Sequence, residues 1–367
     1  MYRKIMGFLE AWKENEHRKP LILQGARQVG KTYSILEFGR IHYENVAYFN
    51  FETNPKLNET FEEKISPDYL IPILSHIAGQ TIVKEKTLIV FDEVQLCERA
   101  LTSLKYFCED APDYHIIVAG SLLGVAVNRA KFSFPVGKVD MKTLYPMDME
   151  EFMIAVGEDE LVEQIKKCFE TNRPMPSALH DAAMQLYRQY LVVGGMPECV
   201  MQFVQTGDYI LIRHTQDTIL TSYLNDMSKY NNLNEIKKTR LAYDNITVQL
   251  SKKNTRFQYK LIKKGGRASE FENAIEWLCL SGIVSQVYRV EQIKKPLENY
   301  RDIDAFKIYV SDLGLLCAKK DLAANDILYM VEELNDFKGG MTENYVNVQL
   351  AINGYNTYYW ESERGLK

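Results

Sequence analysis

No apolar run in this 367-residue chain is long enough to cross a bilayer. The longest uncharged stretch, Ile116 to Val127, has 12 residues, against about 20 for a spanning helix. Cysteine is scarce and unpatterned. The six residues at 97, 108, 168, 199, 279 and 317 form no C-x-x-C pair and none has a histidine at zinc-finger spacing, so neither a disulfide scaffold nor a structural zinc site is expected. The six histidines are equally scattered. An excess of one charge is missing too: the net charge of −5 and pI near 5.8 exclude a protein that coats nucleic acid by bulk charge. Internal repeats and low-complexity tracts are absent. Glu10 interrupts any signal-like apolar region in Met1 to Trp12, which reads as an amphipathic helix of a cytoplasmic protein.

What remains is an ordinary globular composition, 46% hydrophobic and 25% charged, long enough for two or three domains. Over residues 1–145, short apolar runs alternate with helical stretches, the pattern of an α/β layered domain. Leu21–Leu23, Val46–Phe51, Leu88–Phe91 and Ile116–Ala119 are short and mainly apolar, as strands buried on both faces are. They predict a parallel sheet covered by helices. Residues 148–225 read as helical, broken by Asn172–Pro176 and Gly194-Gly195. Residues 226–335 mix helices with two late strands, around Ile283–Tyr288 and Phe306–Val310. Gly339-Gly340 predicts a hinge before another helix and the strand-like Tyr358–Trp360.

Gly25-Ala26-Arg27-Gln28-Val29-Gly30-Lys31-Thr32 fits G-x-x-x-x-G-K-[ST] without departure, after a strand and before a helix over Thr32–Ile41. Glycines there let backbone amides approach phosphate oxygens, and the helix start adds unpaired N–H groups and partial positive charge. Nucleotide binding is therefore expected through Gly25 to Thr32 and the adjoining Tyr33. Lys31 would reach the β- and γ-phosphates of ATP, and the Thr32 hydroxyl would ligate Mg²⁺. The strand Leu88–Phe91 runs into Asp92-Glu93. Asp92 is the second expected Mg²⁺ residue, with Glu93 polarising the attacking water. Ser121, after the strand His115–Ala119, either sits between that water and the γ-phosphate as a third catalytic group or caps the following helix.

These residues, with Asp92-Glu-Val-Gln95 and Ala119-Gly-Ser121, resemble the prokaryotic AAA-type ATPases that carry a domain of unknown function behind the ATPase core. Arg18 to Thr32 looks like that family's opening strand and loop. Tyr190-Leu-Val-Val-Gly-Gly-Met-Pro-Glu198 resembles its Gly-Gly-Phe/Met-Pro-Glu hallmark, and Lys307-Ile-Tyr-Val-Ser-Asp-Leu-Gly-Leu315 the strand closing its second domain. The resemblance implies a P-loop ATPase core over 1–147, a helical lid over 148–225 and a winged-helix-like domain over 226–335. It also implies a truncated nuclease-like module over 336–367, with Glu343 as a first metal-binding acid. One departure is Gly137-Lys138, where the family commonly has Gly-Arg. Arginine presents a planar fork to phosphate and lysine a point charge, which leaves Arg129 and Arg99 as other candidates for a finger.

Residues 229–267 hold eleven Lys or Arg against two acids, a net +9, densest from Lys252 to Arg267. Such a face suits phosphate contact. Yet Ala268–Ser281, the helix that would enter a groove, carries Glu270, Glu272 and Glu276 and no basic residue. Weak, non-specific DNA contact through 252–267 and a plain protein-interaction face both remain open. The reading is an ATP-hydrolysing switch whose C-terminal parts respond to Mg-ATP, slow without an unknown protein partner. The alternatives are an ATP-regulated DNA-associated module and a nuclease-linked defence factor. No membrane contact is expected, and the oligomeric state stays open.

Overall fold

The computed structural model describes residues 1–125, 134–229, 232–250 and 256–361. It divides into two compact units, Arg3–Leu144 and the remainder from Tyr145 onward with Met1–Tyr2.

The first unit is built on five parallel strands: β1 (Leu21–Gln24), β2 (Asn45–Asn50), β3 (Thr87–Asp92), β4 (His115–Gly120) and β5 (Asp140–Thr143). Their spatial order is β2-β3-β4-β1-β5. In register, Leu21 lies beside Ile117 on one side and Asp140 on the other, while Leu88 lies between Val46 and His115. The apolar runs that signal four of these strands are buried throughout β3 and β4. The fifth strand has no such signal. Asp140-Met-Lys-Thr143 lies at the sheet edge with both middle residues exposed, so no burial demands apolar side chains there. Helices α1 (Ile5–Glu14), α2 (Lys31–His42), α3 (Leu57–Glu63), α4 (Pro67–Ala78) and α5 (Glu98–Asp110) flank the sheet. Phe91 meets Phe51 and Phe61 edge to face in its core, with ring centroids 5.9 and 5.7 Å away, a packing geometry that the ring quadrupoles favour. Because the strands are parallel, the ends of β1, β3 and β4 open on one edge, where ligands bind in open α/β sheets.

The second unit starts with helices α6 (Met149–Ala155), α7 (Asp159–Glu170), α8 (Ser177–Val193), α9 (Pro197–Thr206) and α10 (Tyr209–Lys229). Asp148 opens α6 in a reciprocal capping box with Glu151. Next come α11 (Leu233–Leu250), α12 (Tyr259–Ile262) and α13 (Ala268–Leu280), then the antiparallel pair β6 (Val284–Val290) and β7 (Arg301–Val310). Helices α14 (Leu313–Lys319), α15 (Ala324–Leu328) and α16 (Asn335–Ile352) lead to β8 (Tyr358–Tyr359), which pairs in parallel with β6.

The expected hinge at Gly339-Gly340 is corrected: α16 runs straight through both glycines. A Cβ at Gly340 would collide with the Leu250 carbonyl, so this glycine permits close helix packing rather than bending.

The Gly-Gly turn and the Ser-Asp-Leu-Gly segment meet inside this unit. Asp312 is buried, and its two carboxylate oxygens accept N–H bonds from Leu315 at 2.8 Å and Gly195 at 2.6 Å. A Cβ at Gly194 would strike Asp312, one at Gly195 would strike Met147, and one at Gly314 would strike the Val193 carbonyl. Tyr190, wholly buried, donates to the Met147 carbonyl at 2.7 Å and accepts from Gln349 Nε2 at 3.2 Å. Burial pushes the Asp312 carboxyl up to about 6, against the four backbone amides of Leu315, Gly195, Gly314 and Met196 that favour its charge.

Candidate functional site

The phosphate loop leaves β1 at Gly25, whose φ of 146° and close approach to the Leu144 carbonyl both exclude a side chain. The loop ends at Gly30, φ 90°, which caps α2. Lys31, at the start of that helix, is buried, an unusual position for a lysine without partners. Its Nζ donates to the Gly25 carbonyl at 2.9 Å and the Ala26 carbonyl at 2.8 Å. Ala26 and Val29 are buried, Arg27 and Gln28 half-buried, and Tyr33 is exposed on the outer face of α2.

Asp92 closes β3 and is 4% exposed. Its Oδ2 accepts from the Thr32 hydroxyl at 2.9 Å and the Tyr48 hydroxyl at 2.7 Å, while Oδ1 accepts from the Glu93 amide at 3.0 Å. Sheet order explains the meeting. Only β4 separates β1 from β3, so the loop after β1 and the acid ending β3 share one edge. Glu93 takes a left-handed backbone, φ 51°, rare for a side chain of this size. That turn carries its carboxylate out of the strand. Burial pushes the Glu93 carboxyl up, assisted by the Asp92 charge, while the Gln95 hydrogen bond and Lys31 oppose the rise. A carboxyl raised toward neutrality suits a general base. Ser121 is buried directly beyond Gly120 at the end of β4.

Two residues at this edge carry no motif. Tyr48 ends its phenol on Asp92, and Asn50 Nδ2 donates to that same phenol oxygen at 3.1 Å. Burial first, and then the bond to Asp92, push the Tyr48 hydroxyl up to about 12. Arg3 is 6% exposed, and its Nη1 donates to the carbonyl of Val29 inside the loop at 3.0 Å. No spacing rule links residue 3 to residue 29. The only sequence signal is a cation opening an amphipathic helix.

The finger candidates lie elsewhere. Lys138 pairs with Glu109 at 2.9 Å on the surface. It precedes Asp140, which lies beside Leu21 at the start of β1, so it sits at the sheet edge opposite the loop. Arg99 donates to the Phe61 carbonyl, tying α5 to α3. Arg129 lies outside the described residues.

Residues 17–153 match the AAA domain family. The chain carries an AAA-type P-loop domain. Residues 184–326, behind it, match a domain of unknown function (DUF8612). The AAA domain and the region behind it align with the solved Walker-type ATPase of Pyrococcus abyssi over 87% of this chain and 95% of that one, at 14% identity and a TM-score of 0.52. At that identity the likeness is one of fold. The ORC2 protein of Aeropyrum pernix aligns over 95% of both chains, at 12% identity and a TM-score of 0.42, too loose to carry more. No curated protein sequence matches the chain.

Behind the AAA domain, α13 buries Phe271, Ala274, Ile275, Trp277 and Leu278 and turns Glu272, Asn273 and Glu276 outward. The acidic outer face is thus a feature of the folded helix. Of the basic stretch, Lys252 and Lys253 lie outside the described residues, Lys263 pairs with Glu270 at 3.2 Å, and Lys264 and Arg267 are exposed. Glu343 on α16 pairs with Lys307 of β7 at 2.5 Å, at the wall of a cavity of about 1040 Å³ between α16 and the small sheet. Among the described residues no three acidic, histidine or cysteine groups cluster as metal ligands. None of the described helices is long and apolar enough to cross a membrane.

Proposed function

We propose that the AAA domain binds Mg-ATP and hydrolyses it, and that nucleotide state moves the C-terminal region. The observation that carries this reading is the Thr32–Asp92 hydrogen bond, 2.9 Å long, beside a loop gathered around Lys31. Backbone amides from Gly25 to Thr32 bind the phosphates, and Lys31 leaves the loop carbonyls for the β/γ-oxygens. Thr32 and Asp92 offer hard oxygens 2.9 Å apart, a donor set that fits Mg²⁺. A cation held there neutralises charge on the phosphates. Glu93 takes a proton from the attacking water. Ser121, just beyond β4, is our candidate for the residue between that water and the γ-phosphate, a role supported by its place after Gly120.

Within the region from 148, we assign 148–225 to a helical lid and 226–335 to a winged-helix-like domain, supported by three helices followed by an antiparallel pair. The segment from 336 corresponds to the opening of a nuclease-like module. A protein partner sets the turnover rate, and the stretch 252–267 offers a basic face either to a protein partner or to weak, non-specific DNA contact. The test is ATP turnover with and without Mg²⁺, DNA and candidate proteins, with Lys31→Ala as the control. Loss of the charge facing the phosphates abolishes binding. Unchanged nucleotide affinity of Lys31→Ala by calorimetry would overturn the assignment.

A further inference from the structure

Gln95 follows Glu93 by two residues, in the short 3₁₀ turn Val94–Leu96. It is 9% exposed, and its Nε2 donates to Glu93 Oε2. The amide orientation is fixed by chemistry, because a flipped amide would set its carbonyl oxygen against a carboxylate. The other end, Oε1, is buried and accepts from no described residue. It lies against Gly120, where a Cβ would collide with it. One side chain therefore spans from the carboxylate after β3 to the end of β4. A buried polar group without a partner is costly, so a packing role alone would favour an apolar residue at 95.

We propose that Gln95 is the positioning residue of Glu93, holding its carboxylate by the amide N–H while the bare Cα of Gly120 fixes where the amide sits. The inference rests on the reading of Glu93 as the base for ATP hydrolysis. Gln95 touches neither phosphate loop nor metal ligand in the described contacts, so its loss acts on turnover and not on binding.

The experiment compares Gln95→Met, which keeps length and loses both polar atoms, with Gly120→Ala, which displaces the amide from the neighbouring strand. ATP affinity, KM and kcat are measured on the full chain, with Glu93→Gln alongside. Both variants are expected to lose roughly ten- to hundredfold in kcat, the scale of one hydrogen bond to a charged group. KM and ATP affinity stay near wild type. Gln95→Glu, the same shape with an added charge beside Glu93, does not recover the rate. An unchanged kcat in Gln95→Met, with Glu93→Gln inactive, would overturn the inference. So would a loss of ATP affinity equal to the loss of kcat, which marks a loop support. If Glu93→Gln turns over like wild type, the reading of Glu93 fails, and the inference with it.

Discussion

Thr32 and Asp92, sixty residues apart in the chain, share a 2.9 Å hydrogen bond that joins the phosphate loop to the acid ending β3. The hydroxyl donates to the same Oδ2 that takes the Tyr48 phenol, so Asp92 is oriented from two elements before any ligand enters. Glu93 sits next to this cluster and donates its backbone amide to Asp92, but no oxygen of its carboxylate takes part.

The two acids should therefore separate in a kinetic test. Glu93→Gln keeps ATP affinity near wild type and lowers turnover by roughly 10²- to 10⁴-fold, the usual scale for losing a general base. Asp92→Asn weakens Mg²⁺-dependent ATP binding itself, because one carboxylate oxygen becomes a donor facing Thr32 and Tyr48. Single-turnover rates and ATP affinities for both variants decide it. A Glu93→Gln protein with wild-type turnover would move the catalytic role to another residue.

Arg3→Ala should cost about 1–3 kcal/mol of stability, since the Val29 carbonyl loses a charged donor in a buried place. Nucleotide affinity should fall with it, while Arg3→Lys recovers part of both. Denaturant unfolding and calorimetry measure the two. Wild-type stability in Arg3→Ala would show that α1 packing alone holds the segment.

Two buried groups, one in each unit, should respond to acid in opposite directions. His115, at the start of β4, is buried with Nδ1 2.7 Å from the Tyr43 hydroxyl, and burial pushes its ring down to about 4. The unfolded chain protonates near the usual 6.5, so neutral His115 contributes stability that is lost as pH falls from about 6.5 to 4, up to about 3 kcal/mol. Asp312 has the other sign. Its folded value near 6 lies above the unfolded 3.8, so its contribution is present at low pH and lost as pH rises from about 4 to 6, again by about 3 kcal/mol. Amide hydrogen exchange followed in β4 and in the Gly195–Leu315 region between pH 4 and 7 reads both. A His115→Gln variant should flatten the first trend, and parallel pH trends in the two regions would contradict the assignment.

Neutralising Lys252, Lys253, Lys263 and Lys264 together should remove DNA retention at low salt and leave ATP turnover unchanged. The motive is the net +9 of residues 229–267 in an otherwise acidic chain. If the unaltered protein is not retained on DNA even at low salt, the basic stretch serves protein contact or solvation.

Much of the first unit could be read from the chain. Leu88–Phe91 and Ile116–Ala119 are buried on both faces, and apolar runs report such strands directly. The phosphate loop was readable because its glycines answer a local backbone demand, as Gly25 shows by its φ and its closeness to Leu144. Edge strand β5 was silent because half of it faces solvent. Gly339-Gly340 misled because glycine signals both flexibility and close approach, and only the position of Leu250 tells which applies. Arg3, Tyr48 and the role of Gln95 depend on which strand ends become neighbours, and no periodicity encodes that. The link between Gly195 and Asp312 spans 117 residues and is equally silent.

That last link bears on where the chain can be cut. A piece confined to 184–326 retains Gly195 and Asp312 but discards Met147 and Gln349. The Tyr190 hydroxyl would lose both of its partners among the described residues and the segments that cover it, and the Gly195 carbonyl would lose the Met147 amide that meets it. A piece that keeps these hydrogen bonds begins before Met147 and ends after Gln349, wider than the sequence match on both sides.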